Sequence, residues 1–141
     1  MANTNTFSFE ELNTRDKAEA GVEIEINNTA GDPTGMFITI KGTDSSTFQT
    51  MQEKFQRAKL KASAKAGRNA IDNAFDSAKQ YNLQVTAECT IAWRHATKEM
   101  PFPVTDKEQL AEFYQKYPIV YDQVIGAMYD RSLFTQKSPT N

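Results

Sequence analysis

Cysteine and histidine are nearly absent: Cys89 and His95 stand alone in 141 residues. A single thiol excludes an intramolecular disulfide, and the two together fall short of the clustered ligands of a structural zinc site. A cytosolic setting is the simplest reading. A basic surplus is missing too. Sixteen Lys and Arg against 18 Asp and Glu give a formal net charge of -2 and a pI near 5.4, whereas domains whose main task is neutralising phosphates carry a clear excess of cations. Any nucleic-acid role would be local. No apolar run approaches the roughly 20 residues that span a bilayer, and the first twenty residues lack a basic region followed by an apolar stretch. The expectation is a product neither secreted by a signal peptide nor inserted in a membrane.

Apolar material is plentiful. Hydrophobic residues make up 39%, with nine Phe, five Tyr and one Trp, enough to offset the entropy of ordering most of the chain. Two independent cores would each be too small to fold unaided, so one is expected. Small polar residues at 1–6 and the polar, Pro-containing stretch 136–141 predict flexible ends around a single globular domain over 7–135.

Periodicity then assigns elements. In Val22-Glu23-Ile24-Glu25-Ile26 apolar and acidic residues alternate, and Met36-Phe37-Ile38-Thr39-Ile40 alternates again. The turn-forming run from Asn27 to Gly35 lies between them. This predicts an antiparallel hairpin, about 22–27 and 36–41, at the N-terminal end of an α+β, mainly α fold. Two strands alone are marginal, so helices should cover them. Four to five are expected, at about 44–66, 68–80, 83–96, 106–116 and 118–131. The first opens at Asp44 or Ser45 and carries Phe48, Met51, Phe55, Ala58 and Ala62 at spacings of three and four. Ile71, Ala74, Phe75 and Ala78 lie well around the axis from that stripe, which predicts a break near Gly67. Over 83–96, Val85, Cys89 and Ala92 or Trp93 point inward, although Val85 and Thr86 pull toward strand. Thr105-Asp106-Lys107-Glu108 reads as a capping box, and Pro118 suits a first helical position. Phe7, Phe9 and Leu12 form an apolar cluster without a period, and the state of 7–20 stays open.

Reactive chemistry finds little footing. Gly31-Asp32-Pro33-Thr34-Gly35 lacks the Lys-Ser/Thr ending of a phosphate-binding loop and joins two strands, so it reads as a turn. Cys89 and His95, six residues apart, do not share a helix face. They read as a small core residue and a solvated or helix-terminal imidazole, and Trp93 reads as core. No catalytic, cofactor-binding or metal-binding residue is identified, no cofactor is expected, and the chain is read as non-enzymatic.

The clearest nonrandom feature is a basic row. Lys54, Arg57, Lys61, Lys65 and Arg68 recur along one side of a helix. Residues 41–68 hold seven basic side chains against two acidic ones, while residues 1–34 hold seven acids against Arg15 and Lys17. A solvated helix face is the plain reading. The functional one is a surface that steers an acidic partner or lets subunits meet head to tail. Tyr114, Tyr117, Tyr121 and Tyr129 crowd the last third, either packed inside the domain or serving as interface anchors. The basic row and these four tyrosines form the candidate partner-binding set.

Several pieces, read in order, resemble the tail assembly chaperone family of long-tailed, siphovirus-type bacteriophages. They are Glu19-Ala20-Gly21-Val22, the turn Thr29 to Gly35, Ile38 with Gly42-Thr43-Asp44-Ser45 and Phe48, Ala92-Trp93, Pro101-Phe102, and Asp130-Arg131-Ser132-Leu133-Phe134. They cover about residues 19–134. The resemblance implies a non-enzymatic protein of the host cytoplasm, absent from the mature virion, that keeps the phage tape measure protein soluble until tail tube subunits polymerise around it. The tape measure protein is the implied partner, the tail tube protein a second, and weak self-association is a further expectation; no membrane or nucleic-acid partner is expected. Alternatives are a structural virion component, such as a head-tail connector or decoration protein, and a nucleic-acid-binding accessory protein using the basic row.

Overall fold

The computed structural model describes residues 7–65 and 70–135, with side chains described for 7–61 and 78–135. Both polar ends and the expected break near Gly67 lie outside the described residues.

The alternating stretches form β1 (Val22–Asn27) and β2 (Pro33–Ile40), antiparallel, with Val22 opposite Ile40 and Ile24 opposite Ile38. The second strand opens at Pro33, earlier than the expected residue 36, because the turn is tighter. Asn28 Oδ1 accepts from the amides of Ala30 (2.9 Å) and Asp32 (3.0 Å), and Gly31 takes a φ of 86°. Pro33 begins the strand, where its missing N–H is tolerated.

The hairpin is two-thirds of a three-stranded sheet of order β1-β2-β3. Here the helix expected over 83–96 is corrected. Residues from 70 onward run as one helix, α3 (Ala70–Cys89), with no interruption between 80 and 83, and the chain then passes directly into β3 (Thr90–His95). Met36 pairs with His95 and Ile38 with Trp93 across the β2–β3 ladder. Two forces divide the segment. Val85 and Thr86 stay helical because both are buried, and the Thr86 hydroxyl is satisfied by the Asn82 carbonyl at 2.7 Å. Beyond Cys89 the β-branched and aromatic residues Thr90, Ile91 and Trp93 find a strand partner, which outweighs a weak helical period.

The remaining helices are α1 (Arg15–Ala20), α2 (Ser46–Lys65), α4 (Lys107–Lys116) and α5 (Pro118–Met128). Short 3-10 turns cover Phe9–Leu12 and Arg131–Phe134. Residues 7–20, left open above, are thus a turn and a six-residue helix. The capping box assigned to Thr105 is shifted by one: Asp106 is the N-cap of α4, and its Oδ1 accepts from the Gln109 amide at 3.1 Å.

Helices cover one face of the sheet. Ile38 and Ile40, with no exposed surface, meet Val85, Leu110, Val124 and Met128 in one core, each such side chain contributing about 1.5–3 kcal/mol. On the opposite face the Arg94 guanidinium lies 4.1 Å over the Phe37 ring and donates to Glu23 at 2.9 and 3.0 Å.

Two clasps close the molecule. At one, Asp44 accepts from Arg131 Nε (2.9 Å), Arg131 Nη2 (2.8 Å) and the Thr14 hydroxyl (2.6 Å). Beside it the Phe134 ring is buried against Gly42 so closely that a Cβ there would come within 2.9 Å of Phe134 Cε2. At the other, Trp93 packs on Phe102 with ring centroids 4.8 Å apart and donates its indole N–H to the Phe102 carbonyl at 3.0 Å.

Candidate partner-binding surface

The surface is best followed outward along α2. At its base the Ser45 hydroxyl accepts from the Phe48 amide (3.2 Å). The Glu19 carboxylate accepts from the Ser46 amide (2.8 Å) and hydroxyl (3.0 Å), which holds its pKa below the ordinary value. Phe48 is buried, Met51 and Phe55 are half-buried, and the Phe55 ring stacks on Tyr81 of α3 at 4.2 Å. From Gln56 to Lys61 every side chain is exposed. Leu60, 72% exposed, flanks the basic row, about 60° around the axis from Arg57.

Arg57 and Lys61 of the predicted row stand on this solvated length, and Lys54 is exposed just before it. Arg57 approaches Glu53 one turn back at 3.9 Å, a pair exposed on both sides and worth little. Lys65 belongs to α2 by its backbone, but its side chain, and all of Arg68, lie outside the described residues.

The four tyrosines do not form one patch. Tyr114 is buried, so it is not a surface anchor, and that expectation is corrected. Its oxygen lies 2.7 Å from Thr90 Oγ1, whose own proton goes to the Thr86 carbonyl at 2.8 Å. The Tyr114 hydroxyl is therefore the donor, tying α4 to the α3–β3 junction, and burial raises its pKa well above the ordinary value. Tyr121 is half-buried against Tyr114. Tyr117 and Tyr129 are exposed, but they flank α5 at opposite ends, about 18 Å apart at 1.5 Å per residue. Tyr129 is the one beside α2, its ring meeting Phe48 edge-on at 5.8 Å.

Reactive side chains are committed elsewhere. Cys89 is buried, and burial pushes its thiol up to about 12, so at neutral pH it is a protonated core residue. His95 Nδ1 accepts from the amides of Thr97 and Lys98, both at 3.1 Å, while Nε2 sits 3.0 Å from the Thr34 carbonyl. Those contacts require the neutral tautomer protonated at Nε2 and make the ring a staple between a turn and β2. Among the described residues no three His, Cys, Asp or Glu side chains are grouped to hold a metal ion, and no helix is long and apolar enough to cross a membrane.

Two exposed apolar features went unassigned in the sequence. Leu60 is five residues past Phe55, roughly 140° around the axis from the inward stripe, so its exposure was legible in the helical period. Phe7, Phe9 and Leu12 are 58%, 79% and 65% exposed; Phe9 and Leu12 lie on the 3-10 turn capped by Ser8 and Glu11, and Phe7 just precedes it. A three-residue cluster carries no period, so nothing in it said whether it was covered.

No family model, curated protein or solved structure matches the chain. Some of the short pieces that carry the resemblance meet in space. Gly42 to Ser45 joins Asp130 to Phe134 in one clasp, with Glu19 alongside, and Ala92-Trp93 joins Pro101-Phe102 in the other. Their placement is that of residues maintaining a fold.

Proposed function

We propose that this chain is a tail assembly chaperone of a long-tailed bacteriophage, which binds the tape measure protein in the host cytoplasm, keeps it soluble, helps recruit tail tube subunits and is left out of the finished virion. The observation that carries this reading is the outer length of α2, where Leu60 stands exposed on the flank of the row of Lys54, Arg57 and Lys61, next to Arg57, with no element of the described chain over it. A holder of a long helical client needs an apolar strip rimmed by charge, able to mask and release. The order of the motifs that carry the resemblance supports the same reading, and Cys89 and His95 are committed to the core and to a turn.

Co-expression with the tape measure protein tests it. The client is expected in the soluble fraction with the intact chain, and back in the pellet when Lys54, Arg57 and Lys61 are all replaced by Glu. A client equally insoluble with and without the intact chain would overturn the assignment. Stoichiometric copies of the chain in purified particles, measured by mass spectrometry, would favour a structural virion role instead.

A further inference from the structure

The Phe9–Leu12 turn presents aromatic and acidic side chains together. Phe7 and Phe9 meet edge-on at 5.3 Å and, with Leu12, face solvent. Glu10, Glu11 and Asp16 surround them, and among the described residues none of these carboxylates lies in an ion pair. Exposed apolar groups concentrated within six residues, on a segment whose turn is locally capped, are a preformed surface with nothing on it.

The outer length of α2 has the opposite character. Lys54 and Lys61 lack an ion pair among the described residues, Arg57 has only the long contact to Glu53, and Leu60 supplies an exposed apolar contact. Both surfaces belong to the same chain, yet they do not meet within one molecule. Thr14 and Glu19 tie the N-terminal segment to Asp44 and Ser46 at the base of α2, whereas Lys54 and Lys61 stand about 12 and 22 Å further along the axis. The exposure of Phe9 and of Leu60 records that neither covers the other.

We propose that the acidic, aromatic segment Phe7–Leu12 docks on the Lys54–Lys61 length of α2 of a second copy of this chain. Phe9, the more exposed of the two rings, covers Leu60 and the aliphatic stems of the lysines, while Glu10 and Glu11 face Lys54, Arg57 and Lys61. The matching charges select this occupant, since each surface finds its complement on an identical molecule. Because the two surfaces differ, the contact is heterologous: each docked pair keeps one vacant segment and one vacant row, so mass grows past the dimer as concentration rises. A contact this small is weak, reversible and screened by salt. The inference stands whether or not the chain is a chaperone.

Sedimentation velocity of the full chain over a concentration series tests it. At low salt the weight-average mass is expected to rise with concentration, and at about 1 M salt, where the Debye length falls to about 3 Å, it returns to the monomer value. One variant carries Lys54→Glu, Arg57→Glu and Lys61→Glu, and another carries Glu10→Lys, with Glu11 left in place because its carboxylate accepts from the Ser8 amide and caps the turn. Each is expected to stay monomeric alone, with an unchanged circular dichroism spectrum, and their equimolar mixture to associate again, because each then offers the complement of the other. Phe9→Ser, at a position 79% exposed, keeps the fold and abolishes association. A wild-type chain that is monomeric at every concentration overturns the proposal, as does a mixture that fails to recover. So does a Phe9→Ser variant that associates normally or loses only client retention.

Discussion

Asp44 is where three distant segments close on one side chain. Its carboxylate receives two hydrogen bonds from Arg131 and one from Thr14, and these, with Arg131 the stronger influence, hold its pKa below the ordinary 3.8. A lowered carboxylate stabilises the folded state fully above the unfolded pKa and loses that contribution as pH falls through the folded value. Asp44→Asn is therefore expected to cost about 1 kcal/mol near neutral pH, a modest figure because Arg131 is largely exposed and solvent screens the pair. The gap to wild type should close below pH 3.8. Urea unfolding of both proteins from pH 7 to pH 3 measures this; a gap that stays constant would show that the Asp44 charge contributes nothing. From the sequence alone Asp44 was one of two caps for α2. The cap is supplied by Ser45 and Glu19, and the true partner of Asp44 is 87 residues away, a separation that no local pattern encodes.

Helix α4 shows which element boundaries local chemistry reveals. Asp106 closes the first turn, Oδ1 accepting from the Gln109 amide and Oδ2 from the Gln109 side chain at 2.6 Å, and both bonds lower its pKa. Asp106→Ala is expected to lower the melting temperature, because the Gln109 amide loses its acceptor, whereas Thr105→Ala should stay within about 0.5 kcal/mol of wild type. Thermal melts of the two variants decide between them, and a larger loss at Thr105 would restore the capping box one residue earlier. The presence of a helix there was legible because caps act within three residues, and Pro118 likewise announced α5 at its first position. The α3–β3 junction was not. Thr90 to His95 becomes strand through pairing with Met36 to Ile40, residues fifty or more positions back. Alternation over 36–40 revealed an apolar face but gave no hint that a third strand would join it.

Stability is unevenly spread over the whole molecule, and the uneven part coincides with the candidate surface. Val85, Thr86, Ala87 and Cys89 in α3 are buried, while residues 56–61 of α2 keep helical backbone with every side chain in solvent. A helix segment whose side chains are exposed opens locally at small cost, because little apolar area is exposed when its hydrogen bonds break. Amides of 57–61 are therefore expected to exchange with deuterium at least about tenfold faster than those of 85–89. An occupant that covers the row should slow the first set and leave the second unchanged. The basic row was readable from spacing because a helix repeats every few residues; what spacing could not tell was where α2 leaves the core, since that depends on Tyr81 meeting Phe55 from another helix. The same dependence removed Tyr114 from the surface, as Thr90 supplies the acceptor that lets its hydroxyl be buried. Hydrogen exchange resolved by mass spectrometry, with and without the tape measure protein, separates these cases. If 57–61 were as protected in the isolated chain as 85–89, the outer length of α2 would be part of the rigid body, already covered, and unavailable to client and second copy alike.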